Sequence, residues 1–234
     1  MTAIEGTTAL VTGGRRGLGR AFTRELLARG ARKVYATSRT PDTSEDPRVE
    51  VLTLDVTDDA SVAALAAHAD DVDLVFNNAG VLYPAPLLQA DLTLVRDTFE
   101  TNVLGPLRIA QAFAPVLAAR GGGALVDIHS LLSWGAGAGA YGASKAALWS
   151  LTNSLRLELA GQGTQVVGVH LGFADTEMVA HLPIGKIQPA EVARIVLDGI
   201  ERGDREVLVD EATRALKAAL SGPVEHLAVL PSRS

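Results

Sequence analysis

The sequence has 234 residues, a formal net charge of −6, 47% hydrophobic residues and no cysteine. The charge gives no support to binding of nucleic acid or of an anionic membrane surface, and the absence of cysteine excludes disulfides, thiolate nucleophiles and cysteine-based metal sites. We expect no secretory signal and no membrane span, and therefore a cytoplasmic protein.

Short apolar segments alternate with helix-like segments along the whole chain. Strands alternating with helices indicate βαβ units, and hence a single α/β domain with a doubly wound parallel sheet of about seven strands, its core at about 6–220. The tail, 221–234, is weakly patterned, and 40–48 is predicted as a surface loop. The predicted strands are 8–11, 33–37, 49–54, 72–76, 123–128, 164–170 and 206–209. The predicted helices are 18–29, 58–69, 91–119 (with Pro106 and Pro115 as kinks or breaks), 141–160 and 189–202.

A glycine-rich loop joins the first strand to the first helix. Its sequence at 12–19 is TGGRRGLG, with the spacing G-x-x-x-G-x-G. Glycines let the backbone approach a pyrophosphate, and the N-terminus of the following helix offers unpaired N–H groups and the positive end of its dipole. A plain tight turn is the alternative. The predicted cofactor contacts here are Gly13, Arg15, Arg16, Gly17, Leu18 and Gly19.

The end of the second strand carries no acidic residue. Residues 37–39 are Thr-Ser-Arg, where a protein that prefers NAD usually has an acid for the ribose hydroxyls. Ser38 and Arg39, with Arg15 and Arg16 nearby, suit a 2′-phosphate because guanidinium groups bind phosphate strongly. The sequence therefore favours NADP(H) over NAD(H), unless one or more of these arginines is only a solvated loop residue.

A tyrosine and a lysine lie four residues apart at the start of the helix 141–160. This spacing puts Tyr141 and Lys145 on one face of the helix. An ammonium lowers the pKa of a nearby phenol, which could then exchange a proton with a substrate oxygen held by Ser130. The pattern Y-x-x-x-K is common by itself, so a surface pair of side chains is the alternative.

These motifs, in this order, resemble those of the short-chain dehydrogenase/reductase family over nearly the whole chain. The glycine loop is similar to the family's TGxxxGxG, and 141–145 to its YxxxK. Asn102, in the predicted long helix, matches the family's active-site asparagine. Two further matches are the adenine-contacting pair Asp55-Val56 after the third strand and the NNAG segment 77–80 after the fourth.

The resemblance implies a Rossmann-type fold and hydride transfer between a nicotinamide and a substrate carbon. Tyr141 would act as general acid in reduction and as general base in oxidation. Lys145 would lower the pKa of Tyr141 and bind the nicotinamide ribose, Ser130 would bind the substrate oxygen, and Asn102 would hold a water that links Lys145 to solvent. Further implied cofactor contacts are Asp55, Val56, Asn78, Ala79, Gly80, Gly172 and Thr176.

Three segments depart from the family pattern. The catalytic serine usually lies thirteen residues before the tyrosine, where this chain has Ile128. A two-residue deletion at 135–140 would keep Ser130 in place, with Ser133 as the alternative and His129 as a structural residue. After the sixth strand, Leu171 replaces the family's proline, although Gly172 and Thr176 remain.

The third departure is the short segment that follows Thr176. It predicts an open site that tolerates bulky substrates. Ordinary core packing is the alternative for each residue of the expected apolar lining. That lining is Leu131, Leu132, Trp134, Val81, Tyr83, Phe173 and Met178.

The resemblance implies an NADP(H)-dependent carbonyl reductase (ketoreductase) or alcohol dehydrogenase, with a small-molecule carbonyl or alcohol as substrate. The alternatives are action on an imine, an enone or a nucleotide sugar, and a non-catalytic NADP(H)-binding sensor or scaffold. A homo-oligomer, either a tetramer or a dimer, is expected from the same resemblance. His68, His181 and His226 lack metal-ligand spacing, so no metal site is expected.

Overall fold

A computed structural model describes residues 2–40 and 43–229 of the chain. Its seven strands form one parallel sheet in the order β3-β2-β1-β4-β5-β6-β7. Each predicted strand is present, with both ends within two residues of the expected positions. The strands are β1 Thr8–Val11, β2 Lys33–Ser38, β3 Val49–Thr53, β4 Leu74–Asn77, β5 Ala124–Ile128, β6 Gln165–His170 and β7 Glu206–Leu208.

Helices cover both faces of the sheet. They are α1 Gly17–Ala28, α2 Asp59–His68, α3 Leu92–Phe99, α4 Gly105–Ala119, α5 Gly139–Glu158, α6 Pro189–Arg202 and α7 Glu211–Ala218. Successive strand residues point to opposite faces, so Val11 and Phe76 pack with α1 and α6, whereas Leu10 and Val75 pack with α2 and α4. These two apolar layers explain why the strands are almost continuously hydrophobic. The predicted doubly wound, Rossmann-type fold is confirmed.

Strands β1 and β4 lie side by side, and the order in which the chain adds strands to the sheet reverses between them. In such a sheet, ligands bind in the crevice outside the carboxyl ends of the strands at this point. The segments that follow the two strands are tied together there. Thr12 Oγ1 accepts hydrogen bonds from the backbone N–H groups of Asn78 and Ala79 at 2.9 and 3.0 Å, and Asn78 Nδ2 donates to the Thr12 carbonyl at 2.8 Å.

The predicted long helix, 91–119, is interrupted before Pro106 but not at Pro115. Helices α3 and α4 are joined by a π-helical turn at Glu100–Leu104, and Pro106 lies in the first turn of α4. Proline has no N–H to donate to the carbonyl of Asn102 four residues earlier, so the regular pattern cannot continue there. Pro115 lies inside α4 and does not end it, so the prediction of a break at that residue is wrong.

The C-terminal region contains a helix that the sequence did not predict. Asp210 caps α7 by accepting hydrogen bonds from the N–H and Oγ1 of Thr213 at 2.8 and 2.7 Å. The tail then returns to the segment before α5, where the Ala136 N–H donates to the Leu227 carbonyl at 2.7 Å. Leu227 and Val229 thus pack against the small core around Trp134, whereas 221–226 are exposed, and 230–234 lie outside the described residues. Across the described ranges, no helix is both long and apolar enough to cross a membrane.

Candidate active site

A groove runs along the carboxyl edge of the sheet. One part of it, about 390 Å³, passes the N-terminus of α1, the end of β5 and the first turns of α5. A second part, about 630 Å³, lies over the ends of β2 and β3. The two parts share Gly13, Arg16, Ala79 and Gly80 in their walls, so they form one continuous site long enough for an extended ligand.

Glycines shape the middle of this groove. Gly13 and Gly17 have φ values of +65° and +51°, which disfavour residues with a side chain. A Cβ at Gly19 would lie 2.1 Å from the carbonyl oxygen of Gly13 and 2.7 Å from Asn78 Nδ2. The loop is therefore packed too closely for any larger residue, as the predicted phosphate-binding role requires.

The N-terminus of α1 faces the same part of the groove. Its N-cap residue, Arg16, makes no side-chain capping bond, and the first turn has no acidic residue. The first N–H groups and the positive end of the helix dipole are consequently available to an anion. Thr176 lies close by, with its Cγ2 3.2 Å from the place of a Cβ at Gly17. This arrangement fits the pyrophosphate of a dinucleotide, and Leu18, Gly172 and Thr176 lie in the same wall.

The second part of the groove brings together the residues predicted for the adenosine end. Ser38, Arg39, Asp55 and Val56 line it, together with Arg15, whose guanidinium donates to the Thr43 carbonyl at 2.6 Å. The hydroxyl and N–H of Thr57 lower the pKa of Asp55, and Arg39 adds a smaller effect in the same direction.

Arg16 faces an acidic residue across the mouth of the groove. Its guanidinium lies 3.7 Å from the carboxylate of Glu177, and both side chains are exposed. Such an exposed ion pair is worth little, so Arg16 can turn to another anion at small cost.

Ser130 and Tyr141 meet on the opposite wall. Ser130 follows β5 directly, Tyr141 lies in the first turn of α5, and both side chains line this part of the groove. Burial raises the pKa of Tyr141 to about 12, and the neighbouring Ser130 hydroxyl opposes this only in part. The sequence predicts a lowered pKa instead. That expectation is wrong for the protein without cofactor, because burial outweighs any effect of the lysine.

The ammonium group of Lys145 is bonded to the end of β5. Its Nζ donates to the Ile128 carbonyl at 2.7 Å and lies 5.8 Å from the centre of the Tyr141 ring. Burial lowers the pKa of Lys145 to about 8. The lysine therefore remains mostly charged at pH 7 but is poorly solvated.

Asn102 lies in the π-helical turn and ties two segments together. Its Oδ1 accepts from the Val81 N–H at 2.9 Å, and its Nδ2 donates to the Val81 carbonyl at 2.9 Å and to Ser144 Oγ at 3.1 Å. The side-chain amide thus holds the segment after Gly80 against α5. Holding a water for Lys145, which the family resemblance implies, stays a prediction.

The two candidate serines occupy different positions. Ser130 lines the groove, and its Oγ accepts from the Leu132 N–H at 3.1 Å. Ser133 is turned back, with its Oγ 3.4 Å from the N–H of Ser130. Of the two serines, Ser130 lines the groove beside Tyr141, which favours it over Ser133.

The residues of the predicted apolar lining lie in three places. Phe173 and Met178 line the groove beside Tyr141, and Val81 and Tyr83 line its adenosine part. Leu131, Leu132 and Trp134 are buried in a small apolar core with Leu216, so core packing holds for these three. A further cavity of about 760 Å³ lies beside α7, where Leu131 and Phe173 form part of its wall.

The sequence reasoning overlooked a set of buried polar residues beneath Ser130. Asp127, Thr152 and His170 are fully buried and connected to His129 by hydrogen bonds. A signal was present in the sequence, since Asp127 interrupts the otherwise apolar predicted strand 123–128 and His129 follows it directly. The described ranges contain no cluster of three or more histidine or acidic residues that could hold a metal ion.

Comparisons with known proteins agree with this geometry. The short chain dehydrogenase family model matches residues 7–186. An uncharacterized oxidoreductase of Myxococcus xanthus is 35% identical over 224 residues, 88% of this chain and 88% of that protein. The 3-oxoacyl-(acyl-carrier-protein) reductase FabG of Salmonella typhimurium is 34% identical over 196 residues, 77% of this chain and 78% of that enzyme. A short chain dehydrogenase of Burkholderia cenocepacia, crystallised with NADP, is 37% identical, with a TM-score of 0.91 over 97% of both chains.

Proposed function

Because this chain belongs to the short-chain dehydrogenase family of oxidoreductases, we propose that it is an NADP(H)-dependent carbonyl reductase, which also oxidises the corresponding alcohol. The observation that carries the proposal is that Ser130 and Tyr141 are neighbours in the wall of the groove that begins at the glycine loop. The reductase activity named for the Salmonella relative and the NADP bound to the Burkholderia relative support the reaction class and the cofactor.

The residues of the groove fit an NADP(H) molecule. The glycine loop and the uncapped N-terminus of α1 would hold the pyrophosphate. Ser38 and Arg39, with Arg15 at the edge of the groove, would hold the 2′-phosphate. No acidic residue lies at the end of β2, where it would repel that phosphate. The carboxylate of Asp55 lies in the same part of the groove, where Thr57 donates two hydrogen bonds to it and the charge of Arg39 is near.

Tyr141 is arranged to supply a proton. When bound, the nicotinamide supplies the hydride in reduction and accepts it in oxidation. A phenol whose pKa is raised to about 12 stays protonated at neutral pH, which is the form needed to protonate the oxygen of a carbonyl as it is reduced. Ser130 Oγ accepts from the Leu132 N–H, so its own proton remains for the substrate oxygen or for Tyr141.

Lys145 would act on this pair from the side of β5. Its charge lies within a buried region, where electrostatic effects are stronger than in water, and it favours the phenolate that remains after proton transfer. A ribose hydroxyl near Lys145 would accept a hydrogen bond from the ammonium group. Asn102 keeps the segment at Val81 in place and so maintains the shape of the groove beside the lysine.

Assembly into a homo-oligomer is part of the same proposal. Leu104 and Leu157 are exposed apolar residues, 41% and 81% accessible, next to α4 and in α5. Size-exclusion chromatography with light scattering would show whether the chain forms dimers or tetramers.

The proposed reaction is tested by titration with NADPH and NADH, followed by loss of nicotinamide absorbance with a panel of ketones and aldehydes. We expect tighter binding of NADPH and consumption of NADPH with at least one carbonyl compound. Imines, enones and nucleotide sugars form a second panel. Binding of NADPH without turnover by any member of either panel would favour a non-catalytic sensor or scaffold and contradict the proposal.

A further inference from the structure

A row of buried polar groups lies directly beneath the proposed catalytic residues. It begins at Asn77 in β4, passes through Asp127 in β5 and Thr152 in α5, and continues to His129 and His170. Each of these side chains is at least 97% buried. The reaction proposed above assigns no role to any of them, although buried ionisable groups are unfavourable unless their bonding is complete.

One end of this row fixes the direction of its hydrogen bonds. His170 Nδ1 lies 3.3 Å from the carbonyl oxygen of Ser130, which can only accept, so Nδ1 carries a proton. In a neutral imidazole, Nε2 of His170 is then an acceptor. His129 Nδ1 lies 3.0 Å away and must donate to it. His129 Nε2 is consequently the acceptor for the group at 2.8 Å, Thr152 Oγ1.

The single hydroxyl proton of Thr152 then decides the state of Asp127. If that proton points to His129, only lone pairs of Oγ1 remain for Asp127 Oδ2, which lies 2.7 Å away. The other carboxyl oxygen, Oδ1, accepts from Asn77 Nδ2 at 2.9 Å. The Leu148 carbonyl is also 2.8 Å from Oγ1, but if the hydroxyl proton pointed there, the bare Nε2 of His129 would have no donor. The bond between Oδ2 and Oγ1 therefore needs a proton on Asp127.

We propose that Asp127 is protonated and donates a hydrogen bond to Thr152. Thr152 in turn donates to His129, and His129 to His170, so that a chain of neutral groups with one direction of donation positions Ser130 for the proposed reaction. This inference rests on the proposed function only for the role of Ser130. The chain of hydrogen bonds ends on the carbonyl of Ser130. Two residues later, Leu132 donates its N–H to Ser130 Oγ. Holding this carbonyl therefore holds the hydroxyl that faces Tyr141.

One competing arrangement would satisfy the same contacts, with Asp127 ionised and His129 doubly protonated. Burial is the main factor that opposes a proton on His129 and holds its pKa well below the ordinary value, and His170, Lys145 and Arg156 act in the same direction. Burial also lowers the pKa of His170 to about 3, with Lys217, Arg156 and Lys145 acting in the same direction.

The charges around Asp127 act in both directions. Burial raises the pKa of Asp127, whereas its bonds to Asn77 and Thr152 and the charges of Lys145 and Arg156 lower it, with a net upward shift. Glu206, the acidic residue facing His170, lies 3.6 Å from Nε2, beyond hydrogen-bond distance. No carboxylate therefore bonds directly to either imidazole to hold it charged.

The neighbouring strand is shaped to admit this chain. Gly168 in β6 pairs with Asp127, and a Cβ there would lie 2.9 Å from Cε1 of His129. On its other side, His170 is stacked on Trp134 with ring centres 4.0 Å apart. Both imidazoles are thus confined by packing as well as by hydrogen bonds.

The proton positions can be measured without any turnover. Infrared difference spectra of the wild type against Asp127→Asn at pH 7 should show the carbonyl stretch of one protonated carboxyl group. Nuclear magnetic resonance of 15N-histidine-labelled protein should show two imidazoles with a protonated Nδ1 and a bare Nε2. An ionised Asp127, or an imidazolium at His129, would overturn the proposal.

The positioning role is tested by a matched pair in α5. Thr152→Val removes the hydroxyl with little change of shape, whereas Thr152→Ser keeps it. We expect kcat to fall about tenfold or more for Thr152→Val with the KM for NADPH unchanged, and to stay within about threefold of the wild type for Thr152→Ser. Asp127→Asn can still donate to Thr152, so its pH profile should match that of the wild type. Equal activity of the valine and serine variants, or a shifted profile for Asp127→Asn, contradicts the proposal.

Hydrogen exchange tests the positioning of Ser130 even if the proposed reaction is not found. If no carbonyl compound is reduced by the wild type, hydrogen exchange of the Leu132 N–H still reports how firmly Ser130 Oγ is held. Exchange about tenfold faster in Thr152→Val than in Thr152→Ser would support positioning. Equal rates in the two variants would overturn it, whatever the reaction of the enzyme.

Discussion

One wall of the groove is formed mainly by backbone atoms and the other mainly by side chains. The wall at the glycine loop and the N-terminus of α1 is made largely of backbone, with glycines at 13, 17 and 19 and N–H groups without side-chain caps. The opposite wall, from Ser130 to Lys145, is made of side chains that rest on the buried polar residues of β5, β6 and α5. The first wall needs space for a phosphate, whereas the second needs proton donors at fixed positions.

This difference explains how each wall responds to change. A backbone wall fails when a side chain is added, because there is no room for a Cβ. A side-chain wall fails when a single hydroxyl or amine is removed, even if the shape is kept. Substitutions on the two walls should therefore separate cofactor binding from catalysis.

The largest effect is expected at Tyr141, on the side-chain wall. Tyr141→Phe removes the phenol proton and leaves the ring, so kcat should fall by about 10² to 10⁴-fold while the affinity for NADPH is kept. Steady-state kinetics and fluorescence titration with NADPH measure the two quantities. Activity near that of the wild type would exclude Tyr141 as the proton donor.

The backbone wall should break at Gly19. The added methyl of Gly19→Ala would lie 2.1 Å from a backbone oxygen, so the loop must shift at a cost of about 3 kcal/mol, and NADPH affinity should fall about 100-fold. Gly161→Ala is the control, since a Cβ there meets nothing within 4 Å. An equally small effect of both variants would show that the loop is not tightly packed.

Lys145, on the side-chain wall, should make the free energy of unfolding depend on pH. Its pKa is about 8 in the folded protein and near its ordinary value of 10.5 in the unfolded chain. The unfolded chain thus binds more protons between pH 8 and 10.5, and stability of the wild type without cofactor rises across that window. Below pH 8, Lys145→Met should be more stable than the wild type by about 1–3 kcal/mol, although inactive.

Urea unfolding at pH 7, 9 and 10.5 measures this difference. The advantage of Lys145→Met should shrink as the pH rises and disappear near the upper end. Tyr141 is present in both proteins, so its raised pKa largely cancels in the comparison. Parallel pH dependences for the two proteins would show that the lysine is not poorly solvated.

The smallest effect is expected at Arg39, an exposed residue at the adenosine end. Arg39→Asp should weaken NADPH binding about tenfold and change NADH binding by less than about threefold, since only NADPH carries the 2′-phosphate. Competition titrations with both cofactors distinguish the two. An equal loss for NADPH and NADH would contradict the proposed site for the 2′-phosphate.

The sequence was sufficient for the fold and for most of the backbone wall. Strand positions follow from apolar runs, and the glycine spacing identifies the loop because backbone conformation and close approach require glycine there. Helix α7 escaped prediction because it is only eight residues long and its buried face is small. The π-helical turn escaped because a proline in a helix can be accommodated in more than one way, as Pro106 and Pro115 show.

The electrostatics of the side-chain wall could not be predicted in the same way. The four-residue spacing places Tyr141 and Lys145 on one face, but it does not determine where the lysine points or how deeply either group is buried. In the structure Lys145 donates to Ile128, and burial raises the pKa of Tyr141 instead of lowering it. Likewise, the contact of His129 with His170 joins residues 41 positions apart, and a single sequence does not reveal such a pair.

The space at Gly168 makes the residues tolerated at positions 129 and 168 depend on each other. A histidine at 129 needs the room that a side chain at 168 would occupy, since a Cβ there would lie 2.9 Å from the imidazole. Gly168→Ala should therefore be harmful with His129 in place and mild once His129 is replaced by serine. The tolerance of either position to substitution thus has to be judged together with the residue on the adjacent strand.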